Sequence, residues 1–154
     1  MKIIKLLCFS LLCLMALSVS AQYVDLGLPS GTKWKSVNET GGKDGFYTYD
    51  DAVAAFGDQL PTKEQCEELI NACEWSWTGS GYKVTGPNGQ SITLPAAGYR
   101  GCNGDVNGVG SYGYYWSSSP YESGRAWSLG FYSGNHDMYY YIHCIGRSVR
   151  LVQD

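Results

Sequence analysis

Apolar residues recur at Cys66, Leu69, Ile70 and Cys73, the i, i+3, i+4, i+7 spacing that lines one face of an α-helix. Lys63, Glu64, Glu67 and Glu68 fall on the opposite side, facing water. Thr62 and Gln65 form a capping box ahead of this stripe, with Pro61 just before the cap. A shorter helix is predicted with Asp50 as N-cap, running through Ala52 and Phe56 and stopping at Gly57. The rest of the chain follows period two or falls into brief apolar runs. Tyr23 to Gly31 reads as a short strand and a Pro/Gly turn, Thr32–Val37 alternates, and Phe46–Tyr49 is another brief strand. Trp75-Ser76-Trp77 reads as a strand or an aromatic plug over the core. Gly81 to Leu94 reads as a hairpin turned at Asn88-Gly89. A glycine-rich loop follows, then an aromatic stretch from Tyr114 to Tyr121. Strands around Ala126–Tyr132, Met138–His143 and Ser148–Val152 complete an antiparallel set. The pattern predicts one α+β domain with two helices, a small antiparallel sheet and long loops.

Residues 1–21 read differently. Lys2 and Lys5 precede an apolar run from Ile3 to Val19, and Val19-Ser20-Ala21 offers small residues for cleavage. That is the form of a secretory signal peptide, which leaves a domain over residues 22–154. The run is short and broken by serines, so stable membrane insertion after cleavage is not expected. The expected location is periplasmic, cell-surface or secreted. The formal net charge is −3. With no basic run in the chain, nucleic acid is a poor partner.

Beyond the leader lie Cys66, Cys73, Cys102 and Cys144, an even set that export would expose to oxidation. Cys66 and Cys73 sit on one predicted helix, roughly 10 Å apart along its axis, whereas bridged Cα atoms lie within about 7 Å. These two therefore do not pair with each other. If two bridges form, they are Cys66–Cys102 with Cys73–Cys144, or the crossed pairing. The alternative is buried free thiols on an apolar helix face. No close ligand spacing supports zinc.

Catalytic vocabulary is sparse. Gly108-Val109-Gly110-Ser111-Tyr112-Gly113 matches the dinucleotide-binding glycine pattern in letters, but no helical periodicity follows it, so it reads as a loop. His136, Asp137 and His143 lack metal-ligand spacing. Ser117-Ser118-Ser119 lacks the glycine-flanked elbow of a nucleophile, and Asp50-Asp51 suit a helix start. No enzyme activity and no cofactor are expected. Asn38-Glu39-Thr40 has the form of a glycosylation sequon. Nine of the thirteen tyrosines, by contrast, lie from Tyr99 onward, interleaved with tryptophan, serine, glycine and asparagine. Stiff aromatic area beside small adaptable hydrogen-bonders is the composition of a recognition surface.

Several blocks resemble a known family. Tyr23 to Trp34, Leu60-Pro61-Thr62, Leu94 to Arg100, Tyr115 to Ser118 and Ser148 to Val152 are similar, in that order, to the Fibrobacter succinogenes major paralogous domain. That resemblance implies a C-type lectin-like fold. The Glu-Pro-Asn or Gln-Pro-Asp and Trp-Asn-Asp triplets of calcium-dependent sugar binders are missing from this chain, as is the cysteine arrangement of formylglycine-generating enzymes.

Residues 114–154 further resemble the variable region of proteins diversified by retroelements. The framework blocks there are Tyr115–Ser118, Ala126–Phe131 and Ser148–Val152. Between them, Gly124, Arg125, Ser128, Gly130, Tyr132, Tyr139 to Ile142, Cys144 and Ile145 are types reachable from a mutated asparagine codon. On that reading Cys144 is a product of diversification and unpaired. Arg147 departs from the Gly-Phe-Ser-Val-Arg form expected there, altering packing before the last strand.

The expected function is an exported module binding a protein or glycan through Tyr121, Arg125, Trp127, Tyr132, Asn135, His136, Tyr139 and Tyr141. Of Tyr139-Tyr140-Tyr141, at most two share a face. Trp116, Leu129, Phe131 and Val149 are assigned to the core. The competing expectation is a structural surface protein whose aromatic strands form a subunit interface.

Overall fold

The computed structural model describes residues 22–154; the expected leader and its cleavage site lie outside them. Strands β1 (Tyr23–Val24) and β2 (Lys33–Lys35) precede helices α1 (Tyr49–Phe56) and α2 (Lys63–Ala72). There follow β3 (Glu74–Trp77), β4 (Gly81–Thr85), β5 (Ser91–Pro95), β6 (Tyr99–Arg100) and β7 (Val106–Asn107). The long strands are β8 (Gly113–Tyr121), β9 (Arg125–Tyr132) and β10 (Asn135–Ile142), with β11 (Val152–Gln153) at the end. They form small antiparallel sheets in the orders β1-β2-β11, β10-β9-β8, β3-β4-β5 and β6-β7. The architecture is α+β with two helices, as the hydrophobic pattern predicts. No helix among the described residues is long and apolar enough to cross a membrane.

Helix α2 forms as its stripe predicts. Thr62 Oγ1 accepts from the Gln65 N–H at 3.1 Å, and the Gln65 side chain accepts from the Thr62 N–H at 2.9 Å. Two otherwise orphaned donors are thereby satisfied. Cys66 and Leu69 are buried, and Lys63 pairs with Glu67 at 2.8 Å on the outside. Helix α1 starts earlier than predicted. Thr48, extended at ψ 161°, caps the Asp51 N–H, so Asp50 sits in the first turn. There it still favours the helix by charge. The predicted Phe46–Tyr49 strand reduces to single bridges, Lys43 with Phe46 and Tyr47 with Arg147, because Tyr49 already belongs to α1.

The β8–β10 sheet has a core on each side. Directly opposed residues of paired strands share a face. Tyr115, Leu129 and Phe131 point into one core with Leu26, Trp34, Cys66, Leu69, Tyr82 and Leu94. Trp116 and Ala126 point the other way, into a second core with Tyr49, Ala52, Leu60, Val149 and Leu151. The four residues assigned to the core from sequence are all buried. Each large apolar side chain buried in this way contributes roughly 1.5–3 kcal/mol.

Between Trp116 and Pro120 the register slips, and the serine run makes the bulge. Ser117 Oγ donates to the Trp127 carbonyl at 2.7 Å. The Ser118 carbonyl accepts from Tyr49 Oη of α1, and Ser119 Oγ accepts from the Lys63 N–H of α2. The serines thus tie both helices to the sheet.

The predicted Ser148–Val152 strand is replaced by a crossing segment that bonds one neighbour at a time: Tyr114 and Trp116 through Ser148, Glu39 through Val149, and Lys35 through Leu151. Only Val152–Gln153 pairs as a strand, against β2. Arg150, 1 % exposed, anchors the crossing. Its guanidinium donates to Asn38 Oδ1, the Lys35 carbonyl and the Thr93 carbonyl at 2.7–3.0 Å. Asn38 Nδ2, the atom a glycan would occupy, is already donating to Tyr115 Oη at 3.1 Å.

Neither two-bridge pairing forms, whereas the alternative of free thiols on the helix holds for Cys66 and Cys73. Cys102 bonds Cys144, with Cα atoms 5.2 Å apart, while Cys66 and Cys73 are free thiols. Cys144 is therefore not left unpaired by diversification. The physical reason is depth. Helix α2 turns Cys66 into the core, whereas Cys102 and Cys144 are both exposed, on loops the sheet brings together. The bridge closes a separation of 42 residues, so a Cys102→Ser/Cys144→Ser variant should lose about 2–4 kcal/mol of stability in chemical denaturation. A Cys66→Ser/Cys73→Ser variant should retain the reductant-sensitive part of the stability.

Candidate functional site

The pleat divides the eight expected binding residues into two sets. On the α2 side of the sheet lie Tyr121, Arg125, Trp127 and His136. Tyr132, Asn135, Tyr139 and Tyr141 lie on the opposite side. Tyr140 opposes Trp127, so Tyr139 and Tyr141 share a face and Tyr140 does not.

On the α2 side, Tyr121 and Tyr140 stack with centroids 3.9 Å apart, and Trp127 meets Tyr140 edge-on at 5.3 Å. Lys63 Nζ sits 4.6 Å from the Trp127 ring. These contacts half-bury Tyr121 and Trp127 but leave Tyr140 exposed. His136 is committed as well. It stacks on Trp75 at 4.5 Å with only 4° between the planes, and Tyr82 closes on it edge-on at 5.4 Å. Its Nδ1 is buried with no partner, and burial lowers its proton affinity below the ordinary imidazole value. His143 is at the far end of β10, against Tyr49 and 3.2 Å from Asp50 Oδ1. The two histidines thus stand apart and serve separate contacts.

The opposite face is only partly covered. Its lower half is sealed by α1 over Trp116 and Ala126. Its upper half carries Tyr114, Tyr132, Tyr139 and Tyr141, joined by Tyr99 and Tyr112 from preceding loops and strands. Asn135 Nδ2 donates to the hydroxyls of both Tyr132 and Tyr139, at 3.2 and 3.1 Å. That bond holds two rings in place without covering them. Gly130 lies beneath, where a Cβ would stand 2.8 Å from Tyr139 Cδ2 and 3.0 Å from Tyr114 Cδ1. The missing side chain lets the rings close over the strand.

Two hollows open here. One, of about 180 Å³, is lined by Tyr99, Tyr114, Tyr141, Ile145 and Arg147. The other, of about 130 Å³, lies among Tyr112, Tyr114, Phe131, Tyr132, Tyr139 and Tyr141. Tyr114 and Tyr141 are shared by both. A larger hollow of about 390 Å³, lined by Tyr23, Asp58, Gln59 and residues 152–154, has no comparable set of rings. Sequence reasoning missed Tyr99, Tyr112, Tyr114 and Arg147 as site residues. Period two could have found Tyr114, which lies opposite in phase to the core residue Tyr115. Nothing local marks Arg147.

A family model described as domain of unknown function DUF8237 matches residues 67–152, more than half of the chain. The chain belongs to this family. No curated protein and no solved structure matches it. The part matched to DUF8237 contains the whole β8–β10 sheet and Arg147. Among the described residues, no three His, Cys, Asp or Glu side chains gather as a metal site would require.

The His136 stack makes stability depend on pH. Because the folded chain holds this proton less tightly than the unfolded chain, folding releases it, and stability rises with pH across the window below about 6.5. Thermal melts should therefore show stability falling as pH drops below that value. A His136→Phe variant, which keeps the ring on Trp75, should flatten that slope.

Proposed function

We propose that this chain is an exported ligand-binding module, with no catalytic role, whose recognition surface is the open half of the β8–β10 sheet. One observation carries the reading: Tyr114, Tyr132, Tyr139 and Tyr141 stand together on the part of that face α1 leaves open, around two ring-lined hollows. Tyrosines present large contact area with few rotatable bonds, so little entropy is lost on binding. The Cys102–Cys144 bridge supports export, since such bonds persist in oxidising compartments. The partner is a glycan or protein carried at a surface. The two helices with small antiparallel sheets are compatible with a C-type lectin-like fold, and the block order noted above supports that assignment.

Of the positions expected to vary by diversification, Tyr132, Tyr140, Tyr141 and Ile142 are exposed, which suits a variable surface. Ser128 is buried and accepts from Arg147, so variation there would disturb the scaffold.

Glycan and surface-protein arrays probed with the protein test the reading. A Tyr139→Ala/Tyr141→Ala variant should lose at least about tenfold in affinity for any ligand found, the scale of hot-spot truncation. The opposite-face variant Tyr121→Ala/Trp127→Ala should keep it. Equal loss from both variants, or from neither, sinks the assignment.

A subunit interface is favoured by one feature. β10 is an edge strand, and it exposes Tyr140, Tyr141 and Ile142 in succession. Light scattering decides between the readings: a binding module should run as a monomer, and a stable oligomer dispersed by Tyr141→Lys would favour the interface.

A further inference from the structure

Two arginines enter the interior of this chain, and they end differently. Arg150 finds three oxygen acceptors, as described above. Arg147 is equally buried, yet among the described residues its guanidinium donates only to Ser128 Oγ, through Nη1. Nε has no partner, and no carboxylate lies within ion-pair distance. Rings surround it instead: Tyr141 at 4.4 Å, Tyr114 at 4.5 Å and Trp116 at 5.0 Å from the guanidinium carbon. Cation–π contact offsets part of the desolvation cost, but it does not satisfy the N–H groups. Burial lowers the proton affinity of the side chain to a pKa of about 10, so it remains a cation at neutral pH. A charge with spare donors therefore lines the larger of the two ring-walled hollows.

We propose that this hollow is a subsite for a carboxylate-bearing sugar, a uronate-type residue whose carboxylate pairs with Arg147 while its ring lies against Tyr141 and Tyr114. The assignment rests on reading this face as a binding surface, and adds the class of ligand. A carboxylate entering the hollow would supply a charge-assisted acceptor to a guanidinium whose one bonded partner is the Ser128 hydroxyl. The hollow, at about 180 Å³, is below the roughly 300–1,000 Å³ of drug-sized sites, and suits a single ring. The neighbouring hollow is walled by rings with no charge and shares Tyr114 and Tyr141. Successive pyranose rings, each laying a C–H face on tyrosine, would place an acidic unit in one and a neutral unit in the next. The rim is fixed covalently, since Tyr99 lies just before Cys102 and Ile145 just after Cys144.

The test is a calorimetric titration of the full chain with a disaccharide of one uronate and one neutral sugar, alongside its methyl ester and an acidic tripeptide. The acid should bind at least tenfold tighter than the ester, which keeps the shape and removes the charge. Arg147→Gln, if it folds, should bind acid and ester alike; if it does not fold, the acid–ester comparison on the unaltered protein decides alone. Equal affinity for acid and ester, no binding of the uronate, or tighter binding of the tripeptide would each overturn the proposal. In those cases the arrays separate the two readings. A ligand lost on Tyr139→Ala/Tyr141→Ala leaves the recognition face standing without the acidic subsite. If no ligand depends on those tyrosines, both fall.

Discussion

The structure depends on a single pleated sheet that must satisfy two cores at once. Tyr115 and Trp116 are adjacent in sequence, fully buried, and point in opposite directions. Neighbouring strand residues always face apart, so β8 can serve both cores only if each side has its own cover. Helix α2 with the β3–β5 sheet covers one side, and α1 covers half of the other. The serine bulge holds both helices to the same strand. What remains uncovered is the upper half of one face. The open surface is a consequence of how far α1 reaches.

That geometry explains why the aromatic residues do not act as one surface. Tyr121, Trp127 and Tyr140 stack on each other beside α2, while Tyr114, Tyr132, Tyr139 and Tyr141 stand on the far side. Ring packing half-buries Tyr121 and Trp127, while Tyr140 stays 42 % exposed. On the open face, Asn135 and the bare backbone at Gly130 position the rings, of which Tyr132 and Tyr141 stay exposed. Arg147 marks the boundary between the sealed and open halves, touching Trp116 on one side and Tyr141 on the other. A buried cation is tolerated there because three rings share its field, and its unmet donors give the face chemical direction.

Cysteine usage follows the same logic of depth. A thiol on the inner stripe of a helix is shielded, and burial raises the pKa of Cys73 to about 11 and that of Cys66 further, so neither is a ready nucleophile. The two loop cysteines meet because β6 and the turn after β10 converge beside the aromatic hollow. The bridge therefore braces the rim of the candidate site as well as the fold.

Sequence alone determined the local elements wherever a single period was sustained. The capping box and stripe of α2, the existence of the hairpin over residues 81–95 and the buried phase of Trp116, Leu129 and Phe131 were legible because each depends on neighbours a few residues away. It also showed that the tyrosines concentrate from Tyr99 onward, and that Tyr139 and Tyr140 face apart. Only tertiary structure decided which face is open, which cysteines meet and what Arg147 does. Those outcomes depend on contacts across long separations: α1 against Trp116, Cys102 with Cys144 and Arg147 with Ser128. A local pattern carries the phase of a strand, but not the identity of what packs against either side of it.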